Sequence, residues 1–315
     1  MNNRRAFIVG IKSITLSKKE KHFLKKYKPW GVILFSRNLK NLNQIKSLIK
    51  SIKFIFNDEK YPILIDQEGG KINRLKKLIE TSILTAEYFG KLYKFNKKKF
   101  FNYYKIYIAQ ISYLLNELGI NINTVPVLDI RRSKSNKVIG DRSYSNSAKN
   151  VSNIGNFCIQ EFNKSKIATV IKHIPGHGLS KVDSHITTPL VTNKKKYLHK
   201  IDFLPFKNKK VFFAMTAHII YKDIDSINTA THSSKVIKLI RRKIGFKNII
   251  ISDDISMKSL KYSVKLNTRK ALSAGCNLIL HCNAKYSEMT TVAENSPILD
   301  NFIIKKTSQF YNFLS

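Results

Sequence analysis

The chain has 315 residues, 43% of them hydrophobic, enough for a substantial core in one large domain or two small ones. Its 57 Lys and Arg against 20 Asp and Glu leave a formal charge of +37, but the positives are spread as Lys along the whole length, which reads as a solvated surface rather than a nucleic-acid-binding stripe. Apolar runs all fall short of a membrane span, Lys12 interrupts the short N-terminal run, and Cys158, Cys276 and Cys282 form no CxxC pair; the expectation is a soluble cytoplasmic protein with free thiols.

In chain order, Phe7–Val9 is a short apolar run ending at Gly10, a first strand. Ser17 to Tyr27 reads as a helix, with Ser17 as N-cap and Glu20 at the capping-box position. GVILF (31–35) is a second strand, followed by a helical face of Leu42, Ile45, Leu48, Ile49 and Ile52. Tyr61–Ile65 is a third strand and runs into Asp66-Gln67-Glu68-Gly69-Gly70. Lys98 to Leu118 is a long helix stopped by Gly119. Ile120–Val127 makes a fourth strand leading to Asp129, and Ala148–Asn163 is helical in period. Ile167–Lys172 is the fifth strand, Val211–Ala217 the sixth, Asn248–Ile251 the seventh and Asn277–Leu280 the eighth. Helices over Ser233–Ile244 and Leu260–Ala274, closed by Gly245 and Gly275, separate the last three.

Eight strands with helices between most of them predict an α/β fold, a single-domain (β/α)8 barrel of the TIM type over residues 1–283. Residues 284–315 are expected to add one or two helices packed on the outside. Asp66, Asp129, Lys172, His173, His218 and Asp253 all fall just after strands, so the barrel should gather them at its C-terminal face.

The densest chemistry lies in IKHIPGHGLSKVDSHITTPL (171–190), which puts Lys172, His173, His177, Asp183 and His185 on a strand end and a Gly/Pro loop. Asp183 and His185 are two apart, so in an extended loop both face one way. A carboxylate beside an imidazole fixes its tautomer and makes a general acid/base. The same residues leave other readings open: ordinary loop histidines, a metal set of His173, His177, His185 and Asp183, or a Schiff-base Lys172.

Taken together, GVILFSRN (31–38), LIDQEGGKINR (64–74), IGDRS (139–143), IKHIPGHGLSKVDSH (171–185), AMTAHIIY (214–221), ISDDISM (251–257) and AGCNLILHCN (274–283) resemble the bacterial β-N-acetylhexosaminidases of glycoside hydrolase family 3. These are the single-domain, cytoplasmic kind used in cell-wall (peptidoglycan) recycling. The resemblance implies that Asp253 is the catalytic nucleophile, His185 the acid/base and Asp183 its carboxylate partner. It implies that Asp66, Arg74, Arg142, Lys172 and His173 bind the non-reducing N-acetylglucosamine. The implied reaction releases terminal β-N-acetylglucosamine from small muropeptides carrying 1,6-anhydro-N-acetylmuramic acid, on a monomer without metal, cofactor or nucleic acid.

Ile174 stands where Phe is usual in the family, Lys71 where Arg is usual and Asn277 where Asp is common; none removes a catalytic group. Glu68 and His177 are equivocal, each open to a role in the site or to one as a loop-stabilising hydrogen-bond partner. Adjacent strand-end residues face opposite ways, so only one of Asp253 and Asp254 can face the sugar; the resemblance favours Asp253 and leaves Asp254 the bland neighbour. The rival functions are a β-glycosidase of other specificity, an N-acetylglucosaminide phosphorylase, a metal-dependent hydrolase and a basic nucleic-acid binder.

Overall fold

The computed structural model describes residues 3–132, 139–180, 182 and 187–315. Eight parallel strands close into a barrel: β1 (Arg5–Gly10), β2 (Pro29–Leu34), β3 (Ile63–Ile65), β4 (Ile122–Asn123), β5 (Ala168–Ile174), β6 (Phe213–Thr216), β7 (Ile249–Asp254) and β8 (Leu278–His281). Each pairs with its sequence neighbours, and β8 returns to β1 through Phe7↔Ile279 and Ile8↔Leu280. The expected (β/α)8 architecture is therefore the observed one.

The helices are α1 (Lys18–Tyr27), α2 (Leu42–Phe56), α3 (Ala86–Phe95), α4 (Lys97–Leu118), α5 (Ala148–Lys164), α6 (Lys195–Lys200), α7 (Ser234–Leu239), α8 (Val264–Ala274), α9 (Tyr286–Glu294) and α10 (Asn301–Leu314). Local chemistry sets most of their ends. Ser17 and Glu20 form the reciprocal capping box of α1, and Gly119, at φ 79°, stops α4. Two helix boundaries differ clearly from expectation. The helix anticipated from Leu260 starts at Val264, because the Ser263 side chain caps it by accepting from the Leu266 amide. The helix anticipated over 233–244 leaves the α path after Leu239 and widens to a π turn before Gly245. The fourth strand is shorter than its apolar run: its ladder ends at Asn123, and a single bridge follows from Val127 to Lys172.

Two apolar layers hold the molecule. One lies between strands and helices; the other fills the barrel with side chains such as Ile8, Leu64, Val170, Phe213 and Ile251. The tail does more than cover the outside. Helix α9 takes the place of the eighth barrel helix, against β1, α1 and α8. Helix α10 closes the N-terminal mouth, where Ile303 and Phe310 join the interior cluster. Phe310 meets Phe213 edge to face at 5.4 Å, and Trp30 Nε1 donates to Thr307 Oγ1 at 2.9 Å. Arg4 and Tyr311 both donate to Asp58 Oδ2 at 2.6 Å. With that end sealed, the open mouth is the C-terminal one.

Candidate active site

Asp66 follows β3 directly. The chain then makes a tight hairpin, Gln67–Gly69 against Ile72–Asn73. Glycine is required at its turn: Gly69 sits at φ 86°, and a Cβ there would lie 2.5 Å from the Leu84 carbonyl oxygen. The hairpin carries Glu68 inward and delivers Arg74 to the rim, with its guanidinium over the Phe35 ring at 5.3 Å.

Lys172, near the end of β5, is 2% exposed and sits between two carboxylates. Its Nζ is 3.0 Å from Asp66 Oδ1, 2.7 Å from Glu68 Oε1 and 2.9 Å from Thr124 Oγ1. The Thr124 hydroxyl also donates to Asp66, and Arg74 lies 3.5 Å from its other oxygen. Burial alone would raise the Asp66 carboxyl; Lys172 and Arg74 outweigh it and hold Asp66 well below the carboxylate range. Glu68 binds Arg142 in a two-pronged pair, Nε and one Nη each at 2.8 Å. Against the upward push of burial, Arg142 and Lys172 bring Glu68 down to about 2. Glu68 is thus the joint that ties the 139–143 segment to β5.

His173 donates from Nδ1 to Asp129 Oδ2 at 2.7 Å, and its backbone amide also points at that carboxylate. When neutral, this ring presents its Nε2 lone pair to the cavity, suited to accept from a hydroxyl. The His177 amide donates to Asp129 Oδ1 at 2.6 Å, so one fully buried carboxylate grips both ends of the His173–His177 turn. Burial would raise Asp129, and His173 and His177 hold it below its ordinary value. The fit is tight, since a Cβ on Gly178 would lie 2.1 Å from the Ile130 carbonyl oxygen. Burial and the neighbouring His173 push His177 down to about 4, so it is neutral at neutral pH.

At the end of β7 the two aspartates part company. Asp254 Oδ1 accepts from the Ser256 amide and hydroxyl at 3.1 and 2.9 Å, and from the Cys282 amide at 3.2 Å. It is a turn-builder. Asp253 faces the cavity and accepts from the Asp254 amide at 2.8 Å. Burial would raise Asp253, but His218, His173, that amide and Lys172 keep it below its ordinary value, ionised near neutrality. His218 is fully buried, with Nδ1 2.7 Å from Thr231 Oγ1 and Nε2 2.9 Å from the Asp254 carbonyl oxygen. Only an Nε2–H can serve that carbonyl, so the neutral ring accepts at Nδ1.

Asp66, Arg74, Arg142, Lys172, His173 and Asp253 line one cavity; strand-end position leads one to expect this of Asp66, Lys172, His173 and Asp253, and the family resemblance of Arg74 and Arg142. His185 and Asp183 lie outside the described residues. Among the described residues, three acids (Asp66, Glu68, Asp253) face three fixed cations (Arg74, Arg142, Lys172) across this cavity, so their charges balance despite the +37 of the whole chain. Such an array offers donors and acceptors to a polyhydroxylated neutral ligand and one ionised carboxylate for attack on carbon. Among the described residues, no group of three or more His, Cys, Asp or Glu is placed to hold a metal ion. Sequence reasoning left Glu68 equivocal and gave Asp129 and Thr124 no role. A signal existed for the first two, since each is an acid within three residues of a strand end expected from the sequence.

A family model described as the glycosyl hydrolase family 3 N-terminal domain matches residues 7–307. The chain is 33% identical over 284 residues to a β-hexosaminidase of Actinobacillus succinogenes, covering 88% of this chain and 80% of that protein. It is 30% identical over 304 residues to a β-hexosaminidase of Haemophilus influenzae, covering 94% and 84%. Among solved structures, NagZ from Neisseria gonorrhoeae in complex with N-trifluoroacetyl-D-glucosamine superposes with a TM-score of 0.88 at 25% identity, over 99% of this chain and 90% of that one.

Proposed function

The chain belongs to glycosyl hydrolase family 3, and on that premise we propose that it is a retaining exo-β-N-acetylglucosaminidase acting on muropeptides that carry 1,6-anhydro-N-acetylmuramic acid. It is a glycoside hydrolase of the β-N-acetylhexosaminidase type. The observation that carries the finer reading is the cavity in which an ionised Asp253 faces Asp66, Arg74, Arg142, Lys172 and His173.

In the first step the Asp253 carboxylate attacks the anomeric carbon as the glycosidic C–O bond breaks. His185, oriented by Asp183, gives its proton to the departing oxygen. In the second step His185 takes a proton from water, the water oxygen attacks the anomeric carbon, and Asp253 leaves. Two inversions give net retention. Asp66, Arg74, Arg142, Lys172 and His173 hold the sugar hydroxyls and the acetamido group through both steps. The mutual neutralisation of the fixed charges suits a neutral sugar. On the resemblance alone, we assign the reaction to a cytoplasmic monomer.

The test is hydrolysis of an aryl N-acetyl-β-glucosaminide and of the matching glucoside, each with and without phosphate. Cleavage of the first only, with a β-configured hemiacetal as first product and no phosphate dependence, is the expected result. Release of a sugar phosphate, an α-configured first product, or equal cleavage of the glucoside would overturn it.

A further inference from the structure

The loops after β6 and β7 enclose a second, smaller cavity on the same face of the barrel. Its floor is Thr229, His232 and Ser259; its rim includes Ile227, Lys261 and Tyr262. Thr229 Oγ1, His232 Nε2 and Ser259 Oγ are buried and have no hydrogen-bond partner among the described residues. Thr229 is 6% exposed and Ser259 0%. Buried polar groups are rarely left unpaired, and three around one hollow mark a place built for a polar guest. The rim is amphipathic, with Ile227 75% and Tyr262 44% exposed beside the exposed Lys261. Among the described lining residues none is acidic.

Its position ties it to the reacting bond. Thr231, in the same turn as Thr229 and His232, contacts His218, which holds the Asp254 carbonyl next to Asp253. Ser259 follows Asp253 by six residues. Thr188, three residues after His185, donates to the Ser259 carbonyl at 2.6 Å.

We propose that this cavity receives the peptide arm of the leaving group. An amide or carboxylate oxygen of the arm would accept from the Thr229 and Ser259 hydroxyls, Lys261 would pair with a carboxylate, and Ile227 and Tyr262 would cover an apolar side chain. This rests on the glycosidase reading and adds a part of the substrate which that reading leaves unassigned.

The experiment compares the whole protein with its Lys261→Ala, Ser259→Ala and Tyr262→Ala variants on three substrates: an aryl N-acetyl-β-glucosaminide, the anhydro-disaccharide without peptide, and the same disaccharide with peptide. The native protein is expected to show a higher kcat/KM for the peptide-bearing disaccharide than for the bare one. Each variant is expected to raise KM for the peptide-bearing substrate about five- to tenfold, the range for one lost hydrogen bond, ion pair or apolar contact, with the aryl substrate unchanged. Equal kcat/KM of the native protein for the two disaccharides would overturn the proposal. So would variants that change nothing (an ordered water only) or weaken all three substrates alike. Failure to cleave the aryl substrate at all would instead reject the glycosidase reading.

Discussion

Replacing Glu68 by Gln tests the electrostatic joint at the heart of the site. The amide keeps the side chain's shape but removes the charge that pairs with Arg142 at 2.8 Å and with Lys172 at 2.7 Å. In the native protein Arg142 and Lys172 overcome burial and bring the Glu68 carboxyl from its ordinary 4.5 to about 2. That difference corresponds to about 3 kcal/mol of folding stability at neutral pH, at about 1.4 kcal/mol per tenfold shift. Because the folded value is depressed, the contribution is present above pH 4.5 and is lost as pH falls through about 2. Glu68→Gln should therefore be less stable than the native protein by about 3 kcal/mol at pH 7, with the gap roughly halved at pH 3. Urea unfolding at both pH values, followed by circular dichroism, measures the gap. KM for an aryl N-acetyl-β-glucosaminide should also rise about tenfold, since Arg142 and Lys172 lose their shared anchor. A gap below about 1 kcal/mol at pH 7, or one that stays constant down to pH 3, would refute the reasoning.

Asp253→Ala should be nearly inactive whatever the leaving group. His185→Ala should lose roughly 10²–10⁴-fold on an unactivated disaccharide but far less glycosylation rate on a dinitrophenyl glycoside, where azide should relieve the stalled second step; equal losses on both substrates without rescue would reject the assigned role. Gly178→Ala, whose Cβ would lie 2.1 Å from the Ile130 carbonyl oxygen, should displace the 173–178 turn; an unchanged kcat/KM would contradict the fit described. Phe310→Ala empties a fully buried site at the closed mouth and should cost about 3–5 kcal/mol in denaturant unfolding, with kcat at 25 °C intact. Moderate salt should leave hydrolysis of a neutral substrate within about twofold, because exposed charges are screened and the cavity's fixed charges balance; loss of most activity between low and physiological salt would count against that.

What could be read from the chain was local. Periodicity and caps located all eight strands and most of the helices. The alternation of strand and helix then leaves few closures other than a (β/α)8 barrel. Strand-end positions were enough to group Asp66, Lys172, His173 and Asp253, because in this fold every such position faces one mouth. Strand alternation allowed only one of Asp253 and Asp254 to face the cavity, and the resemblance chose Asp253; the Asp254 carboxylate is taken up by the Ser256 turn. Tertiary structure decided which partners meet across the barrel. Glu68 reaches Arg142 across 74 residues of sequence and Asp129 reaches His173 across 44, pairings that exist only once the ring closes in register. In the sequence each of these acids shows only that it falls near a strand end, not which partner it will meet. The same holds for α10: its amphipathic face shows that it must be buried, but only the unfilled N-terminal mouth, with Trp30 and Phe213 waiting there, determines that it plugs the barrel instead of lying alongside it. Local signals arise from a residue's immediate neighbours and the chain carries them wherever it goes, whereas a long-range ion pair or a plugged mouth depends on the geometry of the closed sheet.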